Sequence, residues 1–238
     1  MAGLRASVDI CKRAAVFDSS VLVAISGGKD SLVTLDLCCQ TFDRVEAFYM
    51  YLVPGIEVIE RPMLAVARRL GVRVHMVPHW DLARLQKNAI FRMHSVTARV
   101  IETQKLGDIE YDLRVKTGIR WIAYGYRAAD SIARRLMCRT VKGFDLNSQR
   151  IYPIWEWGVR DVLAYLRVKR IPVPMRMGTD GTRGMSGFSL SREPILWLYH
   201  NAPDDYERVL ERFPFVGVWV KKDEFAKKRS TSEQSPEV

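Results

Sequence analysis

The 238-residue chain can bury one sizeable core, and its 48% hydrophobic and 27% charged residues are ordinary for a globular protein. No run approaches the roughly 18 uninterrupted apolar residues of a membrane span, and the alternating N-terminus MAGLRASVDICKRAAVF does not read as a secretory signal, so a cytoplasmic location is expected. A net charge of +10 leaves nucleic acid open as a partner, and a homodimer open as the assembly, while Cys11, Cys38, Cys39 and Cys138 lack metal-ligand spacing and are expected to be reduced structural thiols.

In chain order, residues 5–17 place Val8, Ile10, Ala14 and Val16 among charges and predict a helix. The apolar run 21–25, Val-Leu-Val-Ala-Ile, predicts a parallel strand buried on both faces. A helix follows with Leu32, Leu35 and Leu37, then a strand over 44–52, a helix from Gly55 to Leu70, and a third strand over 72–77. Residues 81–118 read as mostly helical, with 96–102 open to either state; a buried strand follows at 121–126 and a helix at 128–137. A short strand at 150–153 precedes an amphipathic helix from Gly158, stopped by Pro172 and Pro174. GTDGTRGMSG at 178–187 predicts a loop, with helices over 191–201 and 203–212 and a disordered polar tail from about 226. This alternation predicts a doubly wound parallel sheet of about five strands over 1–175, with a mostly helical extension over 176–225.

The hexapeptide Ser26-Gly27-Gly28-Lys29-Asp30-Ser31 sits where the first strand meets the first motif helix. Two glycines let backbone N–H groups approach an oxyanion, the helix N-terminus turns its positive end to the same spot, and Lys29 adds a full charge. The spacing is not that of a Walker A loop, which needs four residues between its first glycine and the Gly-Lys pair. A second strand-to-helix junction, Gly125-Tyr126-Arg127-Ala128-Ala129-Asp130-Ser131 with Arg134 one turn on, falls at the same carboxyl edge, where open α/β sheets bind ligands. Arg127 and Arg134 would suit phosphate or sulfate through their planar forks. Alternatively, Arg134 is an ordinary surface residue paired with Asp130.

SGGKDS resembles the signature of the PP-loop ATP pyrophosphatases, whose open sheet is adenine nucleotide alpha hydrolase-like. Gly-Tyr-Arg-x-x-Asp-Ser-x-x-Arg at 125–134 resembles the equivalent segment of the phosphoadenosine phosphosulfate reductase branch. Tyr152-Pro153-Ile154, Trp157, Asp161-Val162, Tyr165-Leu166 and Ile171-Pro172 extend the likeness over roughly residues 20–175. The resemblance implies an enzyme that binds ATP through Ser26, Gly27, Gly28, Lys29, Asp30, Ser31 and Gly125, with Lys29 and Arg127 stabilising charge while a substrate oxygen attacks the α-phosphorus and pyrophosphate leaves. Arg134 and Arg183 are the candidate substrate contacts. Magnesium is expected, with Asp30 and Glu60 as candidate ligands. The acceptor is not specified, and an adenylyltransferase of the sulfate- or FAD-forming type, or a nucleotide- or nucleic-acid-binding module without turnover, stands as an alternative.

Two departures bear on chemistry. Val53-Pro54-Gly55 stands where the reductases carry Asp-Thr-Gly, and no cysteine follows Cys138 where they carry the redox nucleophile. Thiol-dependent sulfonucleotide reduction is therefore not expected, nor is an iron–sulfur cluster. His75, His79, His94 and His200 form no pair at metal-ligand spacing on a clear helix face.

Overall fold

The computed structural model describes residues 2–172 and 188–232. Helix α1 (Ala2–Ala15) leads into β1 (Ser20–Ile25), α2 (Lys29–Cys39), β2 (Arg44–Tyr51), α3 (Glu57–Arg69) and β3 (Arg73–Pro78). After α4 (Trp80–Lys87), a 3-10 turn (Thr97–Val100) and α5 (Leu106–Thr117) come β4 (Trp121–Tyr124), α6 (Ile132–Val141), β5 (Phe144–Asp145), β6 (Arg150–Ile151) and α7 (Val159–Val168). The C-terminal part holds α8 (Arg192–Asn201), α9 (Pro203–Arg212), a 3-10 turn (Pro214–Gly217) and α10 (Val218–Ser232). None of the described helices is long and apolar enough to cross a membrane.

The strands order β3-β2-β1-β4-β6-β5, parallel throughout except for the β5–β6 pair. The period-2 alternation of a strand explains why the sheet is covered on both faces. Along β1, Val21, Val23 and Ile25 join one hydrophobic cluster, while Leu22 joins another and Ala24 packs against it. In β4, Trp121 and Ala123 go to the first cluster and Ile122 and Tyr124 to the second. Each fully buried large side chain of this kind contributes roughly 1.5–3 kcal/mol. The first cluster also takes Ile195 and Leu198 of α8, Val209 of α9 and Phe213, so the C-terminal helices share the core of the sheet.

Three expectations change. The sheet has six strands rather than about five, because Phe144–Asp145 pairs antiparallel with Arg150–Ile151. The two residues of β5 carry too little periodicity to read, whereas β6 falls in the strand expected at 150–153; the hairpin is set by Asp145, which accepts from the Asn147 and Ser148 amides. Helix α6 starts at Ile132 rather than 128, since Ser131 is its cap and accepts from the Arg134 amide at 3.2 Å. The tail expected to be disordered from 226 instead continues α10 to Ser232; residues 233–238 and the glycine-rich loop 178–187 lie outside the described residues.

β1 connects through α2 to β2 on one side, while its other neighbour is β4, so the crevice at the carboxyl ends of β1 and β4 is where the winding reverses. Ligands of open α/β sheets bind at such switch points.

Candidate functional site

Beyond Ile25 the chain turns through Gly27 at φ 72°, a left-handed conformation that a side chain would strain. A Cβ on Gly27 would also meet Ile59 Cγ2 at 2.8 Å, because the first turn of α3 lies against the loop. Ser31 ties the turn together: its Oγ donates to the Gly28 carbonyl at 2.9 Å and accepts from the Ser26 amide at 3.2 Å. Gly28 is the cap residue of α2 and offers no side-chain acceptor, which leaves the first N–H groups of that helix to be satisfied from outside. Gly125 supplies the facing wall. A Cβ there would sit 2.8 Å from the Asp30 carbonyl carbon and 2.9 Å from the Ser31 nitrogen, so β4 and the start of α2 approach as closely as backbones allow.

Charges alternate along this edge. Lys29 Nζ donates to Asp30 Oδ2 at 2.8 Å, Arg127 Nε lies 2.9 Å from Asp30 Oδ1, Arg127 Nη2 donates to Asp130 Oδ1 at 2.6 Å, and Arg134 Nη1 donates to Asp130 Oδ2 at 2.9 Å. The Arg127 side chain is only 7% exposed. Its Nη1 is buried without a hydrogen-bond partner, and Nε and Asp30 Oδ1, though close, do not align into a hydrogen bond. A buried guanidinium with unused donors favours an incoming anion, because burial makes each unmet donor costly. Asp130 also accepts from the Arg127 amide at 3.2 Å, closing the turn that aims this side chain. Arg134 lies over the Tyr126 ring at 4.2 Å, and Tyr126 stacks with Tyr124 and Tyr152.

These groups converge on a cavity of about 420 Å³ whose lining includes Ser26, Gly28, Lys29, Asp30, Ser31, Gly125, Arg127 and Arg134. Among the cavity's lining residues that sequence reasoning did not assign are Tyr49, Met50, Leu52, Tyr124, Tyr126, His79 and Phe188. Several end a strand, and carboxyl-end position is the signal that could have found them. His79 Nδ1 accepts from the Asp81 amide at 3.1 Å, which places the proton of the neutral ring on Nε2; burial pushes its pKa down, against a smaller upward pull from Asp81. Arg183 lies outside the described residues.

The two candidate magnesium ligands are not brought together. Glu60 Oε1 accepts from the Gly55 amide at 2.9 Å and lines a separate depression beside Arg61 and Leu64. Asp30 is engaged by Lys29 and Arg127, and among the described residues no group of three or more His, Cys, Asp or Glu side chains could hold a metal ion. The described residues thus do not fit a protein-held cation.

A family model for the phosphoadenosine phosphosulfate reductase domain matches residues 20–175. No curated protein matches the chain. Among solved structures, the U34-tRNA thiolase NcsA from Methanococcus maripaludis, described with its 4Fe-4S cluster, is 15% identical, with a TM-score of 0.52 over 94% of this chain and 79% of that one. The NH3-dependent NAD synthetase from Campylobacter jejuni subsp. jejuni, in complex with nitrate ion, is 11% identical, with a TM-score of 0.51 over 100% of this chain and 97% of that one. At such identities the likeness is one of fold. It corrects the cofactor expectation, which took ATP and magnesium from the family resemblance and set an iron–sulfur cluster aside on cysteine positions: a protein of this fold carries such a cluster.

Proposed function

The chain belongs to the phosphoadenosine phosphosulfate reductase domain family, and from that premise we propose that it binds ATP at the β1–β4 switch point and activates an acceptor by adenylation, releasing pyrophosphate. The observation that carries this reading is the convergence of the Gly27-Gly28 turn, the open N-terminus of α2 and the buried, under-used Arg127 guanidinium on one cavity. The sheet is adenine nucleotide alpha hydrolase-like, and the two solved structures that share the fold are those of a tRNA thiolase and an NAD synthetase.

In this reading the turn and the helix N-terminus hold the β- and γ-phosphates, with Ser26 and Ser31 hydroxyls beside them. An acceptor oxygen forms a bond to the α-phosphorus as the bond to the bridging oxygen breaks, and the electron pair leaves with pyrophosphate. Lys29 swings from Asp30 to the phosphates, and Arg127 Nη1 meets the developing charge, which is electrostatic stabilisation by groups already aimed. The acceptor proton passes to solvent or to an acceptor-side base.

A thiol-dependent reductase is disfavoured by the thiols themselves. Burial pushes the Cys138 thiol up and Cys39 up to about 11, whereas a nucleophilic cysteine needs a lowered pKa. An acceptor drawn from nucleic acid is consistent with the charge of +10 and with one solved relative acting on tRNA. The test is to incubate the protein with ATP and candidate acceptors and quantify pyrophosphate and AMP. Release that requires an acceptor and is lost in Lys29→Ala supports the reading; cleavage between the β- and γ-phosphates instead would sink it.

A further inference from the structure

Asp205 lies in the first turn of α9, beyond residue 175 and so outside the segment matched by the family model. It is 2% exposed, and its carboxylate is spent on backbone far away in sequence. Oδ1 accepts from the Glu57 amide and Oδ2 from the Val58 amide, each at 2.9 Å. Those are the first two amides of α3, whose own cap residue, Ile56, has no side-chain acceptor to offer. Asp205 therefore serves, from another helix, two of the orphan donors at the start of α3, and its charge suits the positive end of that helix. Arg208 fixes the carboxylate in turn, with Nη1 donating to Asp205 Oδ1 at 2.7 Å and Nη2 to Glu57 Oε1 at 3.2 Å.

The helix turn held in this way also forms the back of the phosphate loop. Ile59 follows Val58 directly, and its Cγ2 occupies the space a Cβ on Gly27 would need, 2.8 Å from that position. Gly27 thus holds its left-handed conformation against a surface whose position Asp205 sets. The path from α9 to the loop runs through one capped turn and one packed side chain, without any flexible link. A cap serving only α3 would have no contact beyond that helix; here the capped turn is the loop's packing partner.

We infer that Asp205 is a positioning residue for the phosphate loop, acting through the first turn of α3, so that the C-terminal helices are part of the nucleotide site. The inference rests on the ATP-binding reading for its functional arm only. In the full-length protein, hydrogen exchange without nucleotide is compared for wild type, Asp205→Ala, Asp205→Asn and Ile59→Ala, and ATP affinity is measured by calorimetry on the same samples. In Asp205→Ala, exchange rises in peptides covering 54–60 and 26–31 but not in α7, and ATP binds about tenfold more weakly, the loss expected from two charge-assisted hydrogen bonds shared between fold and site. Asp205→Asn, which keeps one acceptor oxygen, restores part of the affinity, and it carries the test if the alanine variant does not fold. Combining Asp205→Ala with Ile59→Ala gives less loss than the product of the two singles, as expected of residues on one path. Unchanged exchange at 26–31 in both Asp205 variants overturns the inference, as does a rise of equal size throughout the chain. Failure of the wild type to bind ATP removes the functional reading alone, because the exchange comparison is made without nucleotide.

Discussion

Replacing Gly125 with alanine adds one methyl group where nothing can move aside cheaply. The new Cβ would lie 2.8 Å from the Asp30 carbonyl carbon, 2.9 Å from its oxygen and 2.9 Å from the Ser31 nitrogen, all of them backbone atoms at the start of α2. Reaching ordinary van der Waals contact requires β4 and α2 to part by roughly half an ångström. Overpacking of this kind costs about 2 kcal/mol, which in a domain of this size lowers the melting temperature by roughly 4–8 °C. The displacement falls on Asp30 and Ser31, the residues that hold Arg127 and close the phosphate turn, so ATP affinity should fall together with stability. Gly27→Ala makes a useful contrast: its one contact under 3 Å is with the Cγ2 end of Ile59, so Ile59→Ala should relieve its packing component though not its backbone strain. No side-chain substitution should relieve Gly125→Ala. Thermal unfolding and calorimetric titration with ATP check both variants, and a Gly125→Ala protein with wild-type melting temperature and wild-type affinity would refute the packing argument.

Arg127→Lys keeps the charge but loses the fork that spans Asp30 and Asp130, so one carboxylate keeps only its Lys29 or Arg134 partner; stability should drop by about 1 kcal/mol in urea unfolding, and ATP should bind about tenfold more weakly. Lys29→Ala, by contrast, removes a side chain paired among the described residues only with its neighbour Asp30, so the expected result is loss of pyrophosphate release with little change in melting temperature. The depressed pKa of His79 means that the unfolded chain binds a proton the folded chain resists, so stability should be fully present above 6.5 and fall as pH drops below that value. His79→Asn, which can still cap Asp81, should flatten that part of a thermal-unfolding pH profile; an unchanged profile would assign the pH dependence to other groups.

The sheet strands that build the site were legible because β1, β2, β3 and β4 are apolar segments flanked by polar or helical sequence, and the turns after β1 and β4 carry glycine. Arg127 was legible for the same reason: strand, glycine and basic residue stand next to one another at a sheet edge. The pairing of Glu60 was not, since its acceptor role toward Gly55 depends on how the loop before α3 folds back five residues. Asp205 could not be read at all as part of the site, because the contact that gives it meaning spans 148 residues and its own neighbourhood looks like an ordinary acidic first turn of a helix. The cavity's aromatic walls were not read from the sequence, because their orientation is set by tertiary packing.

The alternation of Lys29, Asp30, Arg127, Asp130 and Arg134 has a kinetic consequence. Three cations interleaved with two anions project little net field into solvent, so the cavity should do little to draw a nucleotide in from a distance. Capture would then proceed at a rate nearly insensitive to ionic strength, and selectivity would reside in how slowly a triphosphate leaves after it has displaced Asp30 from Lys29. Any long-range steering of a polyanionic acceptor would have to come from the remaining basic surface, which leaves the capture of the two substrates separately adjustable.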